Sequence, residues 1–301
     1  MAATDHHGLL DPAALARLGR LTVCARRPMI GSVTGVHRSA TRGSSVEFAE
    51  YRKYVPGDDL RRLDWRVYAR TDRFYMKEFD ADTNLRCMLF LDLSGSMAFK
   101  GAHGSKIAYA RRLAATLAYL MVRQGDAAGL WLAGPDGDRE IPARRSPSHV
   151  RQLLDAIQSA TPKGPVDLCA ALHRAADKIR RRALVVVVSD FFADPDELLR
   201  AFQHMRFQRH DLALFHLLDP QELHFEFDRP IRFADLESAH HVVSDPALMA
   251  REYRREVQTY LDALQRGSHE FHADYRRVLL DTDYEKALAS FILQRQRGGT
   301  G

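Results

Sequence analysis

Cys87-Met88-Leu89-Phe90-Leu91-Asp92-Leu93-Ser94-Gly95-Ser96 is the stretch on which the fold turns. Five apolar residues run without interruption into an aspartate, and a short polar turn follows. A run of this kind fits a strand buried on both faces, as in a parallel sheet. The residues downstream supply a covering helix: Ile107, Ala110, Ala114, Leu117, Ala118 and Met121 recur at helical spacing. Gly125 lies just past the last of them, where a C-terminal cap is expected.

The same alternation continues to the end of the chain. Gly129-Leu130-Trp131-Leu132 is a second strand. Val150, Leu153, Leu154 and Ile157 mark a short helix, and Leu168, Ala171, Leu172, Ala175 and Ile179 another. Residues 183–188 form a Val-rich strand that runs into Ser189-Asp190. Asp194-Pro195-Asp196-Glu197 combines an N-cap, a first-turn proline and a glutamate three residues after the cap. It opens a helix with Leu198, Phe202 and Met205 inside, and residues 212–218 form the next strand. A long helix is expected from Asp245-Pro246 to near Gly267, then a strand at Val278-Leu279-Leu280 and a helix over 287–294.

Strands and helices in this order predict an α/β class: a doubly wound, mostly parallel sheet covered on both faces. Residues 86–298 are assigned to that domain, with a β-hairpin insertion near 223–243. Residues 1–85 are less periodic and are expected to form a small N-terminal β-containing appendage.

Composition narrows the function. Apolar residues make up 46% and charged residues 28% of the 301, which excludes a disordered chain. Cys24, Cys87 and Cys169 are odd in number and form no CxxC pair, so neither a disulfide framework nor a zinc knuckle is indicated. The apolar run at 183–188 is far short of the roughly 20 residues of a membrane helix. These features point to a soluble protein in a reducing cytoplasm. The net charge of +5 is not segregated: 14 Lys and Arg face 11 Asp and Glu in residues 1–85, and 30 face 28 in the remainder. A nucleic-acid binder is expected to carry a basic stripe with stacking aromatics, so that class stands as a third, less favoured reading, and no membrane role is expected.

Two strand ends carry aspartates, Asp92 and Asp190. Ligands of open parallel sheets bind at such carboxyl ends. Alternate spacing in a sharp turn can aim Asp92, Ser94 and Ser96 into one small space. With Asp190 they make an all-oxygen set suited to Mg²⁺ or Mn²⁺, which asks for about six ligands. Four protein donors leave positions open for an Asp or Glu of a partner.

At these residues the chain resembles the von Willebrand factor A domains over roughly 85–220, since Asp92-Leu93-Ser94-Gly95-Ser96 matches their DxSxS metal-ion-dependent adhesion motif. The resemblance implies metal ligation by Asp92, Ser94, Ser96 and Asp190. It also implies a threonine ligand before a helix. Here Val166 stands at that position, in Lys163-Gly164-Pro165-Val166-Asp167-Leu168, and offers no oxygen. The site is then weaker, water-filled at that position, or lost. Asp167 is expected to be an N-cap.

Upstream, Gly43-Ser44-Ser45-Val46-Glu47-Phe48, Arg52-Lys53-Tyr54-Val55-Pro56-Gly57-Asp58-Asp59, Arg61, Asp64-Trp65 and Ala69-Arg70 resemble the signature of the bacterial family called domain of unknown function 58. That family sets this block before a von Willebrand A-like domain. The resemblance spans roughly 30–295 and implies a MoxR-type AAA+ ATPase as partner. The bland alternative for Asp58, Asp59, Asp64, Trp65 and Arg70 is a turn and salt-bridge network. For Asp92, Ser94 and Ser96 it is a turn whose side chains satisfy backbone amides.

The expected function is a metal-dependent protein-interaction module, an adaptor or co-chaperone. A metal-dependent phosphohydrolase is the rival. It lacks a GxSxG elbow and a phosphate loop, and Gly101-Ala102-His103-Gly104-Ser105-Lys106 fails as the latter. A general base near the strand ends is also wanting.

Overall fold

The computed structural model describes residues 8–24, 48–53, 67–68, 70, 75–79, 85–225, 231–234, 241–244 and 246–298. The chain divides into two compact units, Ala25–Leu85 and a larger one made of Met1–Cys24 with Arg86–Gly301. In the smaller unit, β1 (Phe48–Lys53) and β2 (Tyr75–Phe79) pair antiparallel, with an irregularity between Phe48 and Glu50.

The larger unit begins with the short helix α1 (Pro12–Leu18), capped by Asp11 and started by a proline. β3 (Arg86–Asp92) is buried almost throughout. A two-residue hairpin, β4 (Lys100–Gly101) with β5 (Gly104–Ser105), then leads into α2 (Lys106–Arg123). Gly125 adopts φ +83° just beyond that helix, the left-handed turn expected of it. β6 (Ala127–Gly134), β7 (Gly137–Arg144), α3 (Pro147–Ser159) and α4 (Leu168–Lys178) follow. Next come β8 (Leu184–Ser189), α5 (Pro195–Phe207), β9 (Asp211–Leu218) and the single-turn α6 (Pro220–His224). β10 (Ile231–Ala234) and β11 (His241–Ser244) form an antiparallel hairpin, and α7 (Pro246–Glu270), β12 (Asp274–Leu279) and α8 (Tyr284–Gly298) complete the unit.

Six strands join in the order β12-β9-β8-β3-β6-β7, parallel except for β7 against β6. Met88 and Phe90 of β3 and Val185 and Val187 of β8 share a core with α4, α5 and α7. Residues between them face the opposite side by strand alternation, where α2 packs on β3, β6, β8 and β9. Strands buried on both faces explain the unbroken apolar runs. Among the described residues, no helix is long and apolar enough to cross a membrane.

Three features depart from the sequence expectations. β7 was not foreseen: its alternating exposure and its Pro142 suit an edge strand, whose sequence is mostly polar. α7 does not stop near Gly267 but runs through it to Glu270; a Cβ there would meet the Leu199 side chain of α5, so this glycine serves close helix packing rather than a cap. Residues 8–24, expected with the appendage, pack on the larger unit. Arg17 Nε donates to Glu285 Oε2 at 2.8 Å, Arg295 Nε to the Cys24 carbonyl at 2.8 Å, and Gln296 Nε2 to the Thr22 carbonyl at 3.0 Å. Such long-range partners leave no local pattern in the sequence.

Gly129 marks a close approach in the sheet, where the β6–β7 register shifts between Ala128 and Leu130. A Cβ there would lie 2.7 Å from the Ala143 nitrogen and 2.8 Å from the Ile141 oxygen, both backbone atoms. Gly129→Ala must push β7 away and is expected to cost about 1–3 kcal/mol, as overpacking does. Urea denaturation checks this; an unchanged midpoint would refute the close packing.

Candidate functional site

The chain leaves β3 for β6 on one side and later returns to β8 on the other. That reversal creates the crevice at the carboxyl ends where open α/β sheets hold ligands. Asp92 ends β3 and Asp190 follows β8, so both expected carboxylates stand at this point.

The turn after Asp92 is held from inside. Ser94 N–H donates to Asp92 Oδ1 at 2.8 Å, and a 3₁₀ turn covers Gly95–Ala98. Gly95 N–H donates to the Gly164 carbonyl at 2.7 Å, and Lys163 N–H to the Leu93 carbonyl at 3.0 Å. These bonds dock the 92–96 turn against the loop containing Val166. The Ser94 and Ser96 hydroxyl oxygens are 3.0 Å apart, and Ser96 Oγ donates to Asp190 Oδ1 at 3.1 Å. Ser189 Oγ donates to Asp92 Oδ2 at 2.6 Å while accepting from Phe191 N–H at 2.8 Å. The four predicted residues therefore converge.

Lys106, the first residue of α2, completes the cluster. Its side chain is 2% exposed, and Nζ donates to Asp190 Oδ2 at 2.8 Å and to Glu222 Oε1 at 2.6 Å. Burial pulls the lysine pKa down, but the charges of Asp190 and Glu222 outweigh that and raise it, so the ammonium stays charged. Glu222 is itself fixed by the capping box of α6, its other oxygen accepting from Asp219 N–H at 2.8 Å. Burial and then the neighbouring Asp190 charge push Asp92 up to about 6.

Mg²⁺ or Mn²⁺ fits these donors poorly as a resident ion. Val166 packs against the apolar core and offers no oxygen. Thr161 donates instead to the Ser159 carbonyl, and Asp167 caps α4 through Ala170 N–H at 2.8 Å. Asp190 is already paired with an ammonium, Lys106 donating to its Oδ2 while Ser96 donates to its Oδ1. Among the described residues, no group of three or more His, Cys, Asp or Glu side chains is placed to hold a metal ion.

Nucleophiles and bases are equally scarce. Burial pushes the Cys87 thiol up to about 12 and the Cys169 thiol up to about 11, which leaves both unreactive near neutral pH. His216, on β9 beside the site, is pushed down to about 3 by burial and pairs with the Tyr275 hydroxyl at 2.7 Å. It is a neutral packing residue.

The sequence profile described as "Protein of unknown function DUF58" matches residues 50–265. This chain belongs to that family. It is 28% identical over 294 residues to the uncharacterized protein Rv1480 of Mycobacterium tuberculosis, covering 96% of this chain and 92% of the relative. It is 25% identical over 148 residues to the uncharacterized protein YeaD of Bacillus subtilis, covering 48% of this chain and 35% of that one. Among solved structures it is similar to the conserved hypothetical protein BatB from Bacteroides thetaiotaomicron, with a TM-score of 0.48 and 13% identity. That match covers 71% of this chain and all of BatB.

Of the family signature residues, Asp58, Asp59, Arg61, Asp64 and Trp65 lie outside the described residues. Arg52 lies on β1, and Arg70 is exposed. Sequence reasoning missed Lys106 and Glu222 as members of the site. A signal for Lys106 existed: it is a cation in the first turn of a helix, where the macrodipole disfavours it, and no acidic residue accompanies it there. Glu222 carried a weaker one, as the third residue after Asp219 in a capping box.

Proposed function

We propose that this chain is a protein-interaction module, an adaptor or co-chaperone that docks its partners at the carboxyl edge of the sheet around Asp92, Ser94, Ser96 and Asp190. The observation that carries this reading is that all four carboxylate oxygens of Asp92 and Asp190 are engaged by internal donors. Carboxylates so occupied are poor general bases or nucleophiles, which disfavours the phosphohydrolase reading. Buried beneath the crevice, they hold its floor rigid instead. Phe192, two residues beyond Asp190, is 79% exposed there, and an exposed aromatic beside a polar centre suits an interface anchor.

The partner favoured by family membership is a MoxR-type AAA+ ATPase, with an Asp- or Glu-bearing client as a second. Titration of the purified ATPase against immobilised protein tests this, in Mg²⁺ and in chelator. Phe192→Ala is expected to weaken binding about tenfold, the loss of one anchor worth somewhat over 1 kcal/mol. Ser96→Arg, on the half-buried rim, is expected to weaken it comparably. An ATPase held equally by wild type and both variants would refute docking at this edge. Binding lost in chelator alone would make a divalent ion part of recognition.

A further inference from the structure

We infer that Lys106 is the resident cation of the strand-edge centre: a tethered ammonium that neutralises Asp190 in place of a divalent metal ion. The lysine is built for that role. Its Nζ lies 2.8 Å from Asp190 Oδ2 and 2.6 Å from Glu222 Oε1, with the Phe99 ring centroid 5.5 Å away. Carboxylates on two sides and an aromatic face are what a buried ammonium requires.

Its position is otherwise unfavourable. A positive charge in the first turn of α2 meets the positive end of the helix dipole, and its side chain is shut from water. Only the acidic neighbours offset those costs. Each neighbour is in turn held by the fold: Asp190 by the Ser96 hydroxyl, and Glu222 by the amide of Asp219. The Ser94 and Ser96 hydroxyls lie 3.0 Å apart and Ser96 donates to Asp190, so they form a hydrogen-bonded chain leading to a carboxylate that Lys106 already neutralises.

The consequence for a free metal ion is electrostatic. A divalent cation at Asp190 would sit within a few ångströms of the Lys106 ammonium and be repelled by it. It would also lack the oxygen that Val166 does not provide. Removing the ammonium leaves the Asp190 carboxylate without its counter-charge beside Asp92 and the Ser94 and Ser96 hydroxyls, which favours a hard cation. The lysine thus decides whether this centre answers to divalent metal.

Mn²⁺ titration of the purified full chain, followed by the electron paramagnetic resonance of free Mn²⁺, tests this. Wild type is expected to bind no Mn²⁺ below the millimolar range. Lys106→Ala is expected to bind at least about tenfold more tightly, a ratio typical of altered metal surroundings. Lys106→Ala/Asp190→Asn is expected to lose that gain. Lys106→Gln keeps length and hydrogen bonding without charge, and carries the same comparison if Lys106→Ala does not fold. Micromolar Mn²⁺ binding by wild type that Asp190→Asn abolishes would overturn the inference, as would a folded lysine variant with no gain. The readout needs no partner protein, so this inference and the docking reading fail independently.

Discussion

Arg295→Met is expected to destabilise the larger unit by about 3–5 kcal/mol, the cost of removing one partner from a buried ion pair. Arg295 is 1% exposed. Its Nη1 donates to Asp274 Oδ2 at 2.6 Å, its Nε to the Cys24 carbonyl at 2.8 Å, and its guanidinium lies 5.5 Å from the Phe291 centroid. One side chain of α8 thus ties β12 and the N-terminal segment to the last helix. Methionine keeps much of the volume, so the loss reports on charge and hydrogen bonding rather than on a cavity. Arg295→Met/Asp274→Leu is expected to recover much of it, since apolar replacement of a buried pair is often neutral and Asp211, 3.7 Å from Arg295, keeps Arg182 and Arg206. Urea denaturation near neutral pH measures both. A loss below about 1 kcal/mol in the single variant would place the pair among weak surface interactions.

Asp92→Asn is expected to stabilise the protein at neutral pH and to destabilise it slightly in acid. In the fold the Asp92 carboxyl rises from its ordinary 3.8 to about 6, through burial first and the Asp190 charge second. A raised carboxyl pKa means that the folded state binds the proton more tightly than the unfolded chain does. The associated stability is fully present below about pH 4 and is lost as pH rises through 6. Above pH 6 the ionised group carries a penalty of roughly 3 kcal/mol. Asparagine carries no charge at any pH. It keeps an acceptor for Ser94 N–H and presents an amide donor to Ser189 Oγ, whose hydroxyl must turn, at a cost of about 1 kcal/mol. The variant is therefore expected to gain about 2 kcal/mol near pH 7.5 and to lose about 1 kcal/mol near pH 4. Denaturation midpoints at the two pH values decide it; parallel behaviour would show that Asp92 is not held against its ionised form.

The parallel strands were legible because burial on both faces compels an unbroken apolar run, as in β3 and β8. Helix starts were legible where capping chemistry is local. Asp194 accepts from Asp196 and Glu197 amides, and Asp167 from that of Ala170, as their positions suggested. The convergence of Asp92 with Asp190 followed from strand order and the general place of ligand sites. What escaped depends on distant partners. β7 is held by pairing with β6, Gly267 lies inside α7 where Leu199 of α5 packs close to its backbone, and Lys106 matters because α6 brings Glu222 to it. The family signature from Gly43 to Arg70 falls largely outside the described residues.

The clasp between α1 and α8 has a consequence for biosynthesis. Arg17 leaves the ribosome ahead of its partner Glu285, which is added 268 residues later. At about 5–20 residues per second, that gap is on the order of tens of seconds. Throughout it α1, whose Leu18 is buried in the finished protein, has no helix α8 to lie against. The nascent α1 segment is thus a natural target for chaperones during translation, and native closure of the larger unit waits on the synthesis of α8.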